Sequence, residues 1–429
     1  MKRVFVSFPI TDLQKVKSQL LNWGNGFDTC CFLDNHEYNL PHHFLECILG
    51  AGCLAYVRAS AGNAFDRLLE FSDQQPDWLF GHLGYDLKNE TEGLTSAHPD
   101  GIGFPDLFFF VPQVVVELEK EMIRIGSFGD DHWQIFEDIQ SAAPADDLRN
   151  QRVDTLQPSF SRSEYISTVE LLRKHILRGD CYEINFCQAF SAEGVVADSL
   201  PWYQALSKHS PMPFGGYYKL GDVQLLCASP ERYLSRRGRR LLSQPIKGTW
   251  ARDLQNSRQD ELYKSTLFNN AKERAENVMI VDLVRNDLSR VCVAGSVKVE
   301  ELFGIYTFPQ VHQMISAVVG EPETGRTWVD MVRSGFPMGS MTGAPKRRVL
   351  QLIETYERNR RGLFSGAIGY VTPERDFDFN VVIRSILYNA NLHQLSFSVG
   401  SGITFYSQAG QEYEECMLKA AAIKKVLTG

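Results

Sequence analysis

Apolar and β-branched runs give the first picture of the chain. Gly50 to Arg58 and Leu107 to Glu117 predict strands. Gln224 to Arg236 and Arg239 to Gln244 predict a hairpin turning at Arg237-Gly238. Gly366–Val371, Phe379–Tyr388 and Leu395–Ile403 predict further strands toward the C-terminus. Helical signals fall between these runs. Ser161 followed by Glu164 is a capping box for a helix to about Arg178, stopped by Gly179. One helix is expected from Asp260 to about Val284, and another opening at Pro345 and stopping at Gly362. A last helix is expected from Glu412 to Leu427. Strand runs with irregularly placed helices indicate an α+β fold, with antiparallel-rich β-sheets packed together and flanked by helices.

A polar, helix-breaking stretch at 141–158 reads as a linker between an N-terminal region, 1–140, and a C-terminal region, 159–429. The length of 429 residues fits two or three domains, or one large interleaved one. Composition then narrows the function classes. The net charge of −8 argues against broad binding of nucleic acid or anionic membranes, and the arginines near residue 237 read as a solvated hairpin tip. No run of about eighteen apolar residues exists to span a bilayer. The N-terminal Met1-Lys2-Arg3 starts like a signal peptide, but no sustained apolar stretch follows before Asp12 and Lys15. Nine scattered cysteines without a CxxC pair suggest neither a zinc ribbon nor a disulfide framework, so the expected setting is reducing cytoplasm.

Candidate chemistry gathers in the C-terminal half. Lys247, in Pro245-Ile246-Lys247-Gly248-Thr249, closes a mostly apolar strand beside a glycine. Desolvation there lowers a lysine pKa toward the nucleophilic form, although most strand-end lysines simply reach into water. Glu273 with Glu276, and Glu412 with Glu415, each stand three apart on one helical face. Two such pairs facing each other would suit Mg²⁺, while either alone describes a solvated surface. Gly339 to Lys346 ends at a helix N-terminus that would attract an anion, without the spacing of a phosphate loop. Gly400, Ser401 and Gly402 form either an amide nest for a carboxylate or a strand end needing positive φ. Arg384 sits in an apolar strand and needs a carboxylate from the protein or a ligand.

Pro245 to Thr249, Ala275-Glu276-Asn277 through Asp287-Leu288, Gly343-Ala344-Pro345-Lys346 and Tyr413-Glu414-Glu415 together resemble the chorismate-utilising enzymes. The resemblance is strong from about Ser161 onward, and it implies a fold like that of anthranilate synthase component I. Lysine at position 247 resembles the aminodeoxychorismate synthase component I branch, whereas anthranilate synthases carry a small residue there. The resemblance implies that Lys247 attacks C2 of chorismate and expels the C4 hydroxyl. Ammonia then adds at C4 and displaces the lysine from C2, giving 4-amino-4-deoxychorismate on the way to 4-aminobenzoate and folate. It further implies Glu231 as general acid and Mg²⁺ on Glu276 and Glu415, with Glu273 and Glu412 as secondary ligands. Thr249, Tyr370, Arg384, Gly400, Ser401, Gly402 and Lys419 match substrate-binding positions. No glutaminase signature is present, so a separate glutamine amidotransferase subunit is implied as the ammonia source, in a heterodimer. The nearest alternative is anthranilate synthase component I, which places ammonia at C2 and releases pyruvate.

Departures sharpen the reading. The family often has histidine where this chain has Gln313, with His312 one step away and facing the opposite side of a strand. No catalytic histidine is therefore expected. Water-using members carry a lysine base where this chain has Glu183, which argues against isochorismate or salicylate chemistry. The Leu-Leu-Glu-Ser stretch of tryptophan-inhibited anthranilate synthases is replaced by Cys31 to Asn35, so no tryptophan feedback is expected.

Overall fold

The computed structural model describes residues 2–39, 42, 44–143, 152–309 and 311–429. Residues 144–151 of the expected linker lie outside them. Within the described residues the chain forms a twelve-stranded and a ten-stranded sheet, with every strand pair antiparallel. This is the expected α+β class, but the strands are distributed in a way the sequence conceals.

Each of four apolar runs is two strands, one in each sheet. Gly50 to Arg58 divides into Cys47–Ala51 and Ala55–Ala59, with a turn at Gly52, whose φ is +71°. Leu107 to Glu117 divides at Pro112 into Leu107–Val111 and Val114–Leu118. Gln224 to Arg236 divides at Pro230-Glu231 into Val223–Ser229 and Arg232–Arg237. Phe379 to Tyr388 divides into Phe377–Asn380 and Ser385–Asn389. Most of the strands meeting at these crossings are buried, so hydrophobicity continues through them. Arg384 therefore sits in a crossing segment with φ +50°, not inside a strand.

Strands of the larger sheet are covered on both faces. Cys31, Val115, Leu225 and Cys227 face a core shared with Phe80, Phe109, Leu234 and Phe379 of the smaller sheet. Their neighbours Cys30, Phe32, Val116 and Leu226 face a second core. The helices Leu13–Asn25, Arg162–Leu177, Ser199–His209 and Ala409–Thr428 help to close it. Alternate residues thus enter different cores. The two regions on either side of the linker interleave. Thr29–Asp34 pairs with Phe214–Leu220, and Leu79–Leu83 pairs with Ala367–Val371. No helix among the described residues is long and apolar enough to cross a membrane.

The capping box of Ser161 and Glu164 forms as expected. The helix expected from Asp260 to Val284 is instead two, Ser257–Asn269 and Ala271–Ser289. Asn270 breaks it because its side chain accepts the amides of Lys272 and Glu273, capping the second helix. The helix after Pro345 ends at Tyr356, short of Gly362. The glycine-rich stretch before it has a different part from an anion site. Gly343–Ala344 pairs with Glu183 and Ile184 at the sheet edge, while Lys346 is buried against Asp287 at 2.9 Å.

Asn270 fixes where the acidic helix starts. Asn270→Ala should cost about 1 kcal/mol, the usual value of a lost N-cap. A lowered chemical-unfolding midpoint would register it; an unchanged midpoint would deny the cap its stabilising role.

Candidate active site

The strand Ile246–Ala251 carries a bulge that aims Lys247. Register slips between Ile246, opposite Ile315, and Thr249, opposite Gln313, while Gly248 adopts φ +91°. The Lys247 ammonium meets Glu183 Oε1 at 2.5 Å. Glu183 opens the strand Glu183–Glu193 of the other sheet, so this ion pair spans the two sheets. Gly402 lies over the pair. A Cβ there would sit 2.9 Å from Glu183 Oε1, 3.2 Å from Lys247 Nζ and 3.5 Å from Glu276 Oε2. Absence of a side chain at 402 keeps the space above the lysine open.

Two helices bring the remaining charges. Ala271–Ser289 supplies Lys272, Glu273 and Glu276, and Ala409–Thr428 supplies Glu412, Glu415 and Lys419. Lys272 Nζ bridges them, 3.2 Å from Glu412 Oε1 and 3.7 Å from Glu276 Oε1. Lys419 binds Glu415 at 2.6 Å and donates to the Gly400 carbonyl at 2.9 Å.

Burial dominates the acid–base character. It pushes the Glu276 carboxyl up to about 8 despite the pull of Lys247, with Glu183 and Glu273 adding to the rise. It raises Glu273 as well. Burial would also raise Glu415, but Lys419 beside it, with Lys272 and Lys247 beyond, holds that carboxyl below its ordinary value. For Lys247 burial favours the neutral amine, yet Glu183, Glu276 and Glu231 outweigh it and hold the ammonium. Desolvation alone therefore does not leave a neutral lysine here, contrary to the expectation from its apolar strand.

The two sheet crossings near Lys247 supply an acid and a cation. Glu231, at one crossing, is 4% exposed. Burial pushes its carboxyl up to about 7, against the nearby Ser340 hydroxyl, Lys247, the Ile246 amide and Arg384. Arg384, at the other, is drawn down to about 10 by burial and held up only by Glu231. Its guanidinium has no hydrogen bond or ion pair among the described residues, which leaves it for an anionic ligand.

Lys247, Glu231, Glu273, Glu276, Glu412, Glu415, Arg384, Lys419 and Gly402 thus converge. Gly400 and Gly402 have no positive φ and stay in the ladder with Cys187 and Asn185, so they form no nest. Beyond Phe397 that strand is paired with one neighbouring strand only, and its Gly400 and Gly402 carbonyls accept from Lys419 and Ser407. Ser401 turns away, its hydroxyl 3.4 Å from Tyr165 on the helix side. Thr249 is exposed on its strand. Tyr370 lies apart, packed among Trp78 and Phe80 with Arg237 donating to its hydroxyl. His312 bonds Asp260 at 3.0 Å and pairs across the ladder with Trp250, on the face opposite Gln313. Sequence reasoning does not single out Glu183 as the partner of Lys247, nor Lys272. A carboxylate opening an apolar strand, and a lysine four residues before Glu276, were the available signals.

Among the described residues no three His, Cys, Asp or Glu side chains form a ready-made metal site. Among the described residues, Glu276 Oε1, with only the Lys272 ammonium at 3.7 Å, and Glu412 Oε2 are nonetheless buried without hydrogen bonds. Such orphaned carboxylate oxygens fit a hard cation that takes one or two carboxylates and keeps its waters.

The model of the chorismate binding enzyme family matches residues 37–425. Aminodeoxychorismate synthase component 1 of Bacillus subtilis (strain 168) is 32% identical over 372 residues, covering 83% of this chain and 78% of that protein. Anthranilate synthase component 1 of Thermus thermophilus is 32% identical over 359 residues, covering 81% and 77%. Anthranilate synthase component I from Streptococcus pneumoniae superposes with a TM-score of 0.77 at 25% identity, covering 90% of this chain and 94% of that one. The fold is that of anthranilate synthase component I, and the chain belongs to the chorismate-binding enzymes.

Proposed function

We propose that the chain is an aminodeoxychorismate synthase component I, converting chorismate and ammonia into 4-amino-4-deoxychorismate, the precursor of 4-aminobenzoate and folate. The observation that carries this reading is the lysine at the centre of the site. A bulged strand aims Lys247 into the polar gap between the sheets, close to the Glu231 carboxyl. Lys247 attacks C2, the ring double bonds shift, and the C4–O bond breaks as Glu231 protonates the leaving hydroxyl. Ammonia then adds at C4 and the lysine departs. Arg384, Lys419 and the backbone of Gly400 to Gly402 receive the carboxylates of chorismate.

Mg²⁺ would be held through Glu276 and Glu415, with Glu273 and Glu412 beside them, and would supply positive charge to a substrate carboxylate. The orphaned oxygens of Glu276 and Glu412 support a cation at this place. Ammonia would come from glutamine through a separate amidotransferase subunit forming a heterodimer with this chain. Nine free cysteines support a cytoplasmic setting.

The identity of the product tests the reading. Purified protein given chorismate, Mg²⁺ and ammonium should yield an amino product that becomes 4-aminobenzoate only after an aminodeoxychorismate lyase is added. Anthranilate with pyruvate would select the other branch, represented by the Thermus thermophilus relative. Lys247→Ala should abolish or redirect turnover while chorismate still binds, and wild-type rates in that variant would remove the lysine from the mechanism. Because Glu231 must be protonated to act, kcat/KM for chorismate at a fixed concentration of free ammonia should fall as pH rises through about 7. A profile flat from pH 6 to 9 would exclude it as the acid. Glu276→Gln and Glu412→Gln should each weaken Mg²⁺ binding by roughly tenfold or more in titration calorimetry.

A further inference from the structure

A nucleophilic lysine needs somewhere to put its proton, and the surroundings of Lys247 offer one receiver in contact. Glu183 is 1% exposed. Its Oε1 takes the Lys247 ammonium at 2.5 Å, while its Oε2 is buried without a hydrogen-bond partner among the described residues. The carboxylate is held from both sides of its strand end. Gly343–Ala344 clamps the Glu183 backbone, with no room for a Cβ at Gly343, which would lie 2.1 Å from the Glu183 carbonyl. Gly402 leaves the pair uncovered on the ligand side. Other charges facing Lys247 are Glu231, Glu273, Glu276, Glu415 and Lys419. Among these, Glu231 has its own proton to deliver, and Glu273, Glu276 and Glu415 lie on the two helices facing a cation.

We propose that Glu183 is the proton acceptor that activates Lys247 and returns the proton when the lysine leaves. The assignment rests on the covalent-lysine reading given above. In the first step the Lys247 ammonium passes one proton to Glu183, and the freed electron pair forms the N–C2 bond. The ring double bonds shift, and the C4–O bond breaks with a proton from Glu231, releasing water. In the second step the electron pair of ammonia forms the N–C4 bond, the double bonds shift back, and the C2–N pair returns to Lys247 as a neutral amine. Glu183 then gives its proton back to Lys247, and Glu231 recovers one from the new C4 ammonium. Exclusion of water by the bound ring favours this exchange, because a neutral acid–amine pair loses less on desolvation than an ion pair does.

A purely electrostatic role for Glu183 predicts the opposite result. A carboxylate that merely holds the ammonium suppresses the nucleophile, and its removal would speed the attack. The experiment is a rapid-quench reaction of the whole protein with chorismate and Mg²⁺, without ammonia so that the second step is blocked. Intact mass then follows the adduct of protein plus chorismate less one water. Glu183→Gln, the same shape without a basic carboxylate, should form adduct about 10²-fold more slowly at pH 7. The deficit should shrink as pH rises, and chorismate affinity measured by fluorescence titration should stay within about twofold. Glu183→Ala, slow by the same measure, should be partly rescued by added formate, a result that a structural defect would not give. Wild-type or faster adduct formation in Glu183→Gln would overturn the assignment, as would Glu183→Ala unmoved by formate. Absence of adduct from a wild-type preparation that forms product once ammonia is added would overturn the covalent lysine itself, and Glu183's part with it.

Discussion

A chain that builds two facing sheets must carry its backbone polar groups across an apolar core whenever it changes sheet, and each such group needs a partner there. Here the crossings satisfy one another. Val381 donates its amide to the Glu231 carbonyl at 3.0 Å, joining two crossing segments directly. Val382 donates to Gly366, Ile383 to Val381, and the Ser229 side chain receives the amide of Glu231. Such segments lie outside the ladder, so their side chains are free of strict alternation. Glu231 and Arg384 occupy these positions, and that is how an acid and a cation come to face the interior between two otherwise apolar sheets.

The charges so placed are costly alone and tolerable together. A lone buried carboxylate or ammonium would lose its hydration for nothing, whereas the Lys247–Glu183 pair and the Lys272 bridge keep opposite charges within reach. The balance is incomplete. Among the described residues, oxygens of Glu276 and Glu412 without hydrogen bonds and an unpaired guanidinium on Arg384 leave the site short of both a cation and an anion. A divalent metal with a dicarboxylate substrate would supply both kinds of charge at once. The empty interactions are thus part of the binding energy still to be gained.

Much of this was legible in the order of residues, and the exceptions share a cause. Local signals held where local chemistry decides: the capping box at Ser161 and the final helix appear close to their expected places. Strand boundaries failed wherever an apolar run changes sheet, because apolar residues continue on both sides and the Glu231 and Arg384 that mark two of the passages read as strand residues. Pro112 and Pro230 were visible marks, and Gly52 was another. Val381 to Arg384 carried none apart from the arginine. The break at Asn270 escaped because a cap within a long helical pattern looks like any polar helix position. Spacing within one helix paired Glu273 with Glu276 and Glu412 with Glu415, but the meeting of Glu183 with Lys247 depends on two sheets and is not written in any local pattern.

Interleaving has its own consequence for how the molecule is made. Thr29–Asp34 pairs early with Cys47–Ala51 but has its second neighbour in Phe214–Leu220, and Leu79–Leu83, beside Leu107–Val111, has its second in Ala367–Val371. Contacts of such sequence separation are slow to form, and unpaired strands invite intermolecular pairing meanwhile. As the polypeptide emerges from the ribosome, its early strands wait with open edges until residues near 371 have been synthesised. Completion of both sheets is therefore a late event of synthesis, with one edge of each early strand left to be covered last.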